Sequence, residues 1–439
     1  LPIWRMRKNQ VDVITLGCSK NLMDSEHLIK QFLANGYKVS HNPEEVSGEI
    51  VVINTCGFIA DAQEESINMI LDIVECKKTG QVGQVYVMGC LTERFMDDLK
   101  VEIPEVDGFY GKFNWKKLIS DLGKAYYNDP MGGNRSITTP KHYAYLKISE
   151  GCNRTCSYCA IPLITGKYVS RPMEDIVEEA KSLIASGVKE IQLIAQDLTY
   201  YGLDLYHEHK LPELVERLAS LEGLEWLRLH YAYPNAFPKE LFRVIREHDN
   251  VCNYIDIALQ HISNSMLKSM RRGISKEETY SLLKELREEV PGIHIRTTLM
   301  VGHPGETDED FEELLQFVRD IKFDRLGAFI YSHEDGTYSH QNYEDDVPLD
   351  LKQERMNRLM EEQEAIMTSL NQEKIGQTLR TIIDRREGDY YIGRTEFDSP
   401  EVDQEVLIKH IDQELVPGEF YQVEITSADV FDLYGKIAK

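Results

Sequence analysis

Six of the eight cysteines fall at spacings suited to iron–sulfur chemistry. Cys152, Cys156 and Cys159 form C-x3-C-x2-C within SEGCNRTCSYCAIP, just after a strand-like run. A stretch this short can wrap three thiolates around one iron–sulfur cube, serving three irons and leaving the fourth without a protein ligand. An open coordination position belongs to reaction chemistry rather than to a structural plug, by the logic that separates catalytic from structural zinc. Zinc is the competing reading. It would want a fourth His or Cys nearby, and the stretch offers none, so the cluster is preferred.

A second set is spread along the chain. Cys18 follows VDVITL, Cys56 follows EIVVIN and Cys90 follows QVYVM. Each run reads as a strand, and the carboxyl ends of parallel strands are where open α/β sheets bind ligands. Three thiols arriving at one sheet edge again predict one cluster with one open iron. Three unrelated buried cysteines are the bland alternative, because free Cys is often buried. The strand-end positions, each with a neighbouring Gly, favour the cluster. Cys76 lies in a helical pattern and Cys252 before a strand, and both read as structural.

The elements that position these cysteines follow from periodicity. In the first part, strands are expected at Val11–Leu16, Glu49–Asn54 and Gln84–Met88, with helices at Met23–Asn35, Asp61–Cys76 and from Asn114 to Leu122. Alternation of this kind predicts an open parallel α/β sheet. Asn128–Pro140 is rich in turn formers and reads as a linker. Six further strands follow, at Ala144–Ile148, Glu190–Ala195, Trp226–His230, Tyr254–Leu259, His294–Val301 and Arg325–Phe329, with helical patterns between them. Six βα units predict a parallel barrel or partial barrel. Leu349–Lys374 reads as a long charged helix. Short strand-like runs after Gly376 predict a small antiparallel β-barrel.

The whole chain has 439 residues, with 74 acidic and 49 basic side chains and a net charge of −25. That length predicts several domains, and that balance argues against a general nucleic-acid binder. Eight cysteines are too few for a disulfide scaffold. LPIWRMRKNQ lacks the apolar core of a secretory leader, and no apolar run reaches 18 residues. A cytoplasmic location without membrane association is expected. Met6 is a candidate natural start, with Leu1–Arg5 foreign to the protein.

The C-x3-C-x2-C spacing with Tyr158 before the last cysteine resembles the radical S-adenosylmethionine superfamily. With both cysteine sets in this order, the chain resembles its methylthiotransferase family over essentially its whole length. The motifs that carry the resemblance include GCSKNLMDSE (17–26), NTCGFIADAQEES (54–66), AQDLTYYGLDLY (195–206), LHYAYP (229–234), DIALQHIS (256–263), MRRGI (270–274), RTTLMVGHPGETDEDFEEL (296–314) and GAFIYSHEDGT (327–337). The resemblance implies an N-terminal cluster domain (6–135), a partial (β/α)6 radical domain (138–374) and a C-terminal TRAM domain (376–439). It implies two 4Fe-4S clusters, held by Cys18, Cys56, Cys90 and by Cys152, Cys156, Cys159, with S-adenosyl-L-methionine consumed twice. An electron donor such as flavodoxin or ferredoxin is implied as a partner. GCSKNLMDSE, AQDLTYYG, LHYAYP and YSHEDGT look most like the branch that modifies an aspartate of the twelfth small-subunit ribosomal protein. The other branch modifies an adenosine in tRNA.

Further site residues are implied by the same resemblance. Gln196 and Asp197 match positions that hold the amino group of S-adenosylmethionine, and Thr298, Met300, Gly302 and Glu306 match the stretch lining its adenine. His230 and Gln260 are expected at strand ends facing the catalytic rim, although a satisfied polar residue explains either equally well. GHPG (302–305) lacks the Gly-Lys-Ser/Thr of a phosphate loop. The family usually has Arg-Gly after the third cluster cysteine. Here Thr165 stands where the Arg is expected, with Lys167 or Arg171 as possible substitutes. The tail from Gly376 holds seven basic and fourteen acidic residues, a net of −7. An RNA-binding barrel should be basic, so this tail fits docking of a basic ribosomal protein by steering.

Overall fold

The computed structural model describes residues 6–128, 135–409 and 414–438. Leu1–Arg5 and the middle of the expected linker lie outside the described residues. The chain divides into two compact units. The first comprises Leu1–Thr138 with Glu150–Asn153 and Ala160–Tyr168. The second comprises Thr139–Ser149, Arg154–Cys159 and Val169–Lys439.

The first unit is built on a five-stranded parallel sheet in the order Lys38–His41, Arg7–Thr15, Gly48–Thr55, Gln84–Gly89, Gly108–Phe109. Strand side chains alternate between faces, and both faces here are apolar. Val51 and Ile53 meet Ile70, Ile73 and Leu99 from the helices Ala60–Lys78 and Cys90–Glu102. Ile50 and Val52 meet Leu28, Phe32 and Leu118 from the helices Ser19–Ala34 and Trp115–Asp121. A sheet covered on both faces reads as continuous Val/Ile runs, which is why its central strands stand out in the sequence. The edge strand Lys38–His41 is short and polar, and Gly108–Phe109 has only two residues, so neither does so. The helix Cys90–Glu102 is also absent from the periodicity, since it is bent at Phe95 (φ −130°) and leaves Val101 largely exposed.

The second unit contains a six-stranded parallel sheet in strict chain order: Tyr143–Lys147, Glu190–Ile194, Trp226–Ala232, Val251–Gln260, His294–Val301, Arg325–Ile330. The first and last strands do not pair, so the barrel is partial. The helices Lys276–Glu289 and Asp308–Ile321 start with capping boxes at Ser275/Glu278 and Thr307/Asp310. The helix Leu349–Gln372 packs along Asp308–Ile321 and the last strand.

The same unit carries a closed five-stranded barrel of Thr378–Glu387, Tyr390–Thr395, Val406–Lys409, Leu433–Ile437 and Phe420–Ala428. Its pairings are antiparallel except for Val406–Lys409 with Leu433–Ile437, which run parallel. The small barrel meets the starting ends of the six central strands. Its loop 396–405 closes that mouth. Arg228 donates to the carbonyls of Thr395 and Glu396, Arg325 to Asp398 and Gln404, and Arg296 to Asp403. Arg394 bonds Glu190 at 2.7 Å and Asp384 at 2.6 Å, and Arg228 bonds Glu190 at 3.1 Å. Glu190, Arg228 and Arg394 are almost wholly buried. Burial raises the Glu190 pKa, but the two guanidiniums outweigh it and hold the carboxyl below its usual range.

Candidate metal centres at two sheet edges

In the first unit, Cys18, Cys56 and Cys90 sit where three adjacent strands end. Cys18 precedes the helix Ser19–Ala34, Cys56 follows Gly48–Thr55, and Cys90 opens the helix that follows Gln84–Gly89. Glycine lets these loops converge. Gly17 has φ +90°, and a Cβ there would stand 2.8 Å from the Cys56 Cβ. Gly89 has φ +110°, and its Cβ would stand 2.5 Å from the Thr55 carbonyl oxygen. Both spaces exclude any side chain.

Polar groups support the triad from beneath. Asn21 donates to the carbonyls of Leu16 and Thr55, each at 3.0 Å. Its Oδ1 accepts from the Cys90 thiol at 3.4 Å and from Lys112 Nζ at 3.2 Å. Lys112 is buried and paired with Asp24. Desolvation at Cys18 is outweighed by Lys20, Lys112 and backbone N–H groups, which hold its thiol below the ordinary range. Burial raises Cys56 and pushes Cys90 up to about 12. Asn21, Asp24 and Lys112 were not picked out from the sequence. Asn21 lies inside a recognised motif, whereas Lys112 reaches Asn21 from 91 residues away and carries no local signal.

The C-x3-C-x2-C stretch is shared between the units. In the first, Cys152 N–H donates to the Gly166 carbonyl, and Ala160 and Ile164 pack with Cys90. In the second, Cys159 N–H donates to the Cys156 carbonyl. Arg154 donates to Asp197 at 2.7 Å and lies 4.1 Å over the Tyr233 ring. Tyr158 packs with Met270, Met300 and Tyr331. Arg272 donates to the Cys156 sulfur at 3.2 Å and to the Tyr158 hydroxyl at 3.1 Å. Among the described residues, no three His, Cys, Asp or Glu side chains converge to hold a single metal ion. A cube spreads its thiolates over separate irons, so a purely sulfur donor set of three fits a cluster better than zinc.

The other site residues differ in their commitments. Gln196 and Thr298 are half-buried, at the end of one central strand and within another. Met300 lies two residues beyond Thr298 on the same face. Asp197 accepts from Arg154 and from the Thr199 N–H and hydroxyl. Gly302 N–H donates to Glu306 Oε1 at 3.0 Å. Glu306 is buried, with Oε1 also taken by Arg355 at 2.8 Å and Oε2 by His261 at 3.1 Å, so it also braces a loop. The expectation for His230 is revised. Its strand runs on to Ala232, and His230 is buried against Gln192 at 2.7 Å and Ser399 at 3.5 Å, inside the barrel rather than at the rim. Gln260 does end its strand, with φ +71°. Thr165 bonds the Ile161 carbonyl. Arg171 is engaged by the Lys147 carbonyl and Glu179, while Lys167 is exposed. Cys252 is buried beside Trp226 and Tyr254, and Cys76 packs on the first unit's core.

Comparison with known proteins adds three family matches: the Radical SAM superfamily over residues 146–318, Uncharacterized protein family UPF0004 over 10–111, and the TRAM domain over 375–438. The chain is 64% identical to the ribosomal protein uS12 methylthiotransferase RimO of Parabacteroides distasonis, covering 98% of this chain and 100% of that protein. It is 65% identical to that of Porphyromonas gingivalis over the same shares, and 55% identical to that of Flavobacterium johnsoniae over 99% of each. In fold it is similar to the radical S-adenosylmethionine methyltransferase TsrM from Kitasatospora setae. The TM-score is 0.54 at 16% identity, covering 74% of this chain and 75% of that one.

Proposed function

The chain belongs to the ribosomal protein uS12 methylthiotransferases of the radical S-adenosylmethionine superfamily, and from that premise we propose that it inserts a methylthio group at the β-carbon of an aspartate of uS12. The observation that carries this reading is the pairing of two three-thiol sets with near-full-length similarity to enzymes of that name. Those relatives do not support the tRNA alternative.

The enzyme uses two 4Fe-4S clusters and S-adenosylmethionine. Cys152, Cys156 and Cys159 would hold one cluster and Cys18, Cys56 and Cys90 the other, each leaving an iron open. When bound, the clusters supply reductive cleavage of S-adenosylmethionine and a seat for the sulfur that is transferred. The chain's own residues position and shield. Arg154, held by Asp197 and the Tyr233 face, fixes the stretch carrying Cys156 and Cys159. Tyr158, Met270, Met300 and Tyr331 make an apolar wall that excludes water. Gln196, Asp197, Thr298, Met300, Gly302 and Glu306 would contact S-adenosylmethionine, with Asp197 and Glu306 also bracing the loops that present it. A flavodoxin or ferredoxin would supply electrons in the cytoplasm. No described helix is long and apolar enough to cross a membrane.

Mass spectrometry of ribosomal proteins and tRNA after deletion of the gene tests the reading. Loss of the methylthio mass from uS12, with tRNA unchanged, is expected. Retention on uS12 would overturn it.

A further inference from the structure

Arg272 lies in MRRGI, after the helix Asn264–Ser269, and is only 2% exposed. Its Nη1 donates to the Cys156 sulfur at 3.2 Å and to the Tyr158 hydroxyl at 3.1 Å, and its Nη2 donates to the Ala258 carbonyl. The guanidinium lies 4.1 Å over the Tyr233 ring. The Tyr233 hydroxyl donates to the Arg272 carbonyl at 3.0 Å and stands 3.5 Å from the same sulfur. Nε is buried and finds no hydrogen-bond partner among the described residues. These partners are a thiol, a phenol, a carbonyl and an aromatic face, with no carboxylate among them. Burying a cation in such company is costly unless negative charge arrives. Thiolates coordinating a cluster bring that charge, and more of it in the reduced state.

We propose that Arg272 is a positioning residue that sets the potential of the cluster held by Cys152, Cys156 and Cys159, through an N–H···S bond to Cys156. Hydrogen bonds to cluster sulfurs and nearby positive charge favour the reduced form. The inference rests on reading this triad as a cluster site.

The test uses the full chain with Cys18, Cys56 and Cys90 changed to Ala, so that one cluster is loaded and its redox titration is followed by electron paramagnetic resonance. Arg272→Gln is expected to keep its iron and to lower the reduced-to-oxidised ratio at fixed potential about tenfold, about 59 mV for one electron. Arg272→Lys, which keeps the charge but loses the planar fork, is expected to shift the same way by less. An unchanged ratio in Arg272→Gln at full iron overturns the proposal. If Arg272→Gln fails to hold iron, Arg272→Lys decides, and an unchanged ratio there overturns it. Failure of the cluster reading itself shows separately, as absence of iron before any change at Arg272.

Discussion

At the scale of single residues, the two cysteine sets are expected to be separable. Anaerobic reconstitution of the intact chain should give about eight irons. Cys152→Ala should lower this to about four and abolish 5′-deoxyadenosine formation. Cys90→Ala should lower iron equally yet leave deoxyadenosine formation in place. Iron assay with chromatography of the nucleoside products checks both, and equal loss of deoxyadenosine in the two variants would contradict the division of labour. The six cysteines were legible because spacing and strand ends mark them. Lys112 and Arg272 were not, because their contacts to Asn21 and Cys156 span 91 and 116 residues.

At the scale of elements, loop convergence and packing carry the predictions. Gly89→Ala would force a Cβ against the Thr55 carbonyl at φ +110°. It is expected to cost about 1–3 kcal/mol and to lower iron bound by the first triad, read by denaturant unfolding and iron content. His294 starts a central strand, stacks 3.8 Å from Phe397 of the closing loop, and is lowered to about 4, mainly by burial. The unfolded chain protonates His near 6.5, so between those pH values it binds the extra proton and stability falls as pH drops. The shift corresponds to about 3 kcal/mol. His294→Phe should lessen the slope of the urea midpoint against pH across that window, leaving the part due to His303, lowered to about 4 by burial, and to His41, also lowered by burial. A profile identical to the parent's would refute the assignment. The barrel strands were legible from their apolar runs, whereas Leu433–Ile437 (LYGKI) is short and interrupted by Gly, and its parallel pairing depends on a partner 27 residues upstream.

At the scale of the whole molecule, the net charge of −25 predicts a salt-dependent association rate with a basic ribosomal protein. Stopped-flow mixing with uS12 should show a steep fall from low to high ionic strength, and a flat response would remove steering from the account. The C-terminal charge needs correction at this scale. Asp384, Asp398 and Asp403 are withdrawn into pairs with Arg394, Arg325 and Arg296. Fewer than the fourteen acidic residues of that domain are therefore open to a partner. Glu190→Gln removes the anion shared by Arg228 and Arg394, and should cost about 3–5 kcal/mol of stability, measured by denaturant unfolding.

That network also bears on modularity. The C-terminal barrel resembles a detachable cassette, yet Glu190, Arg296 and Arg325 of the central strands are matched across its contact by Arg394, Asp403 and Asp398. Trimming a gene at residue 375 would strip those partners and leave buried charges unpaired, and a homologous cassette would fit only where both sides changed together. Recombination between relatives should therefore preserve residues 139–438 as one inherited block.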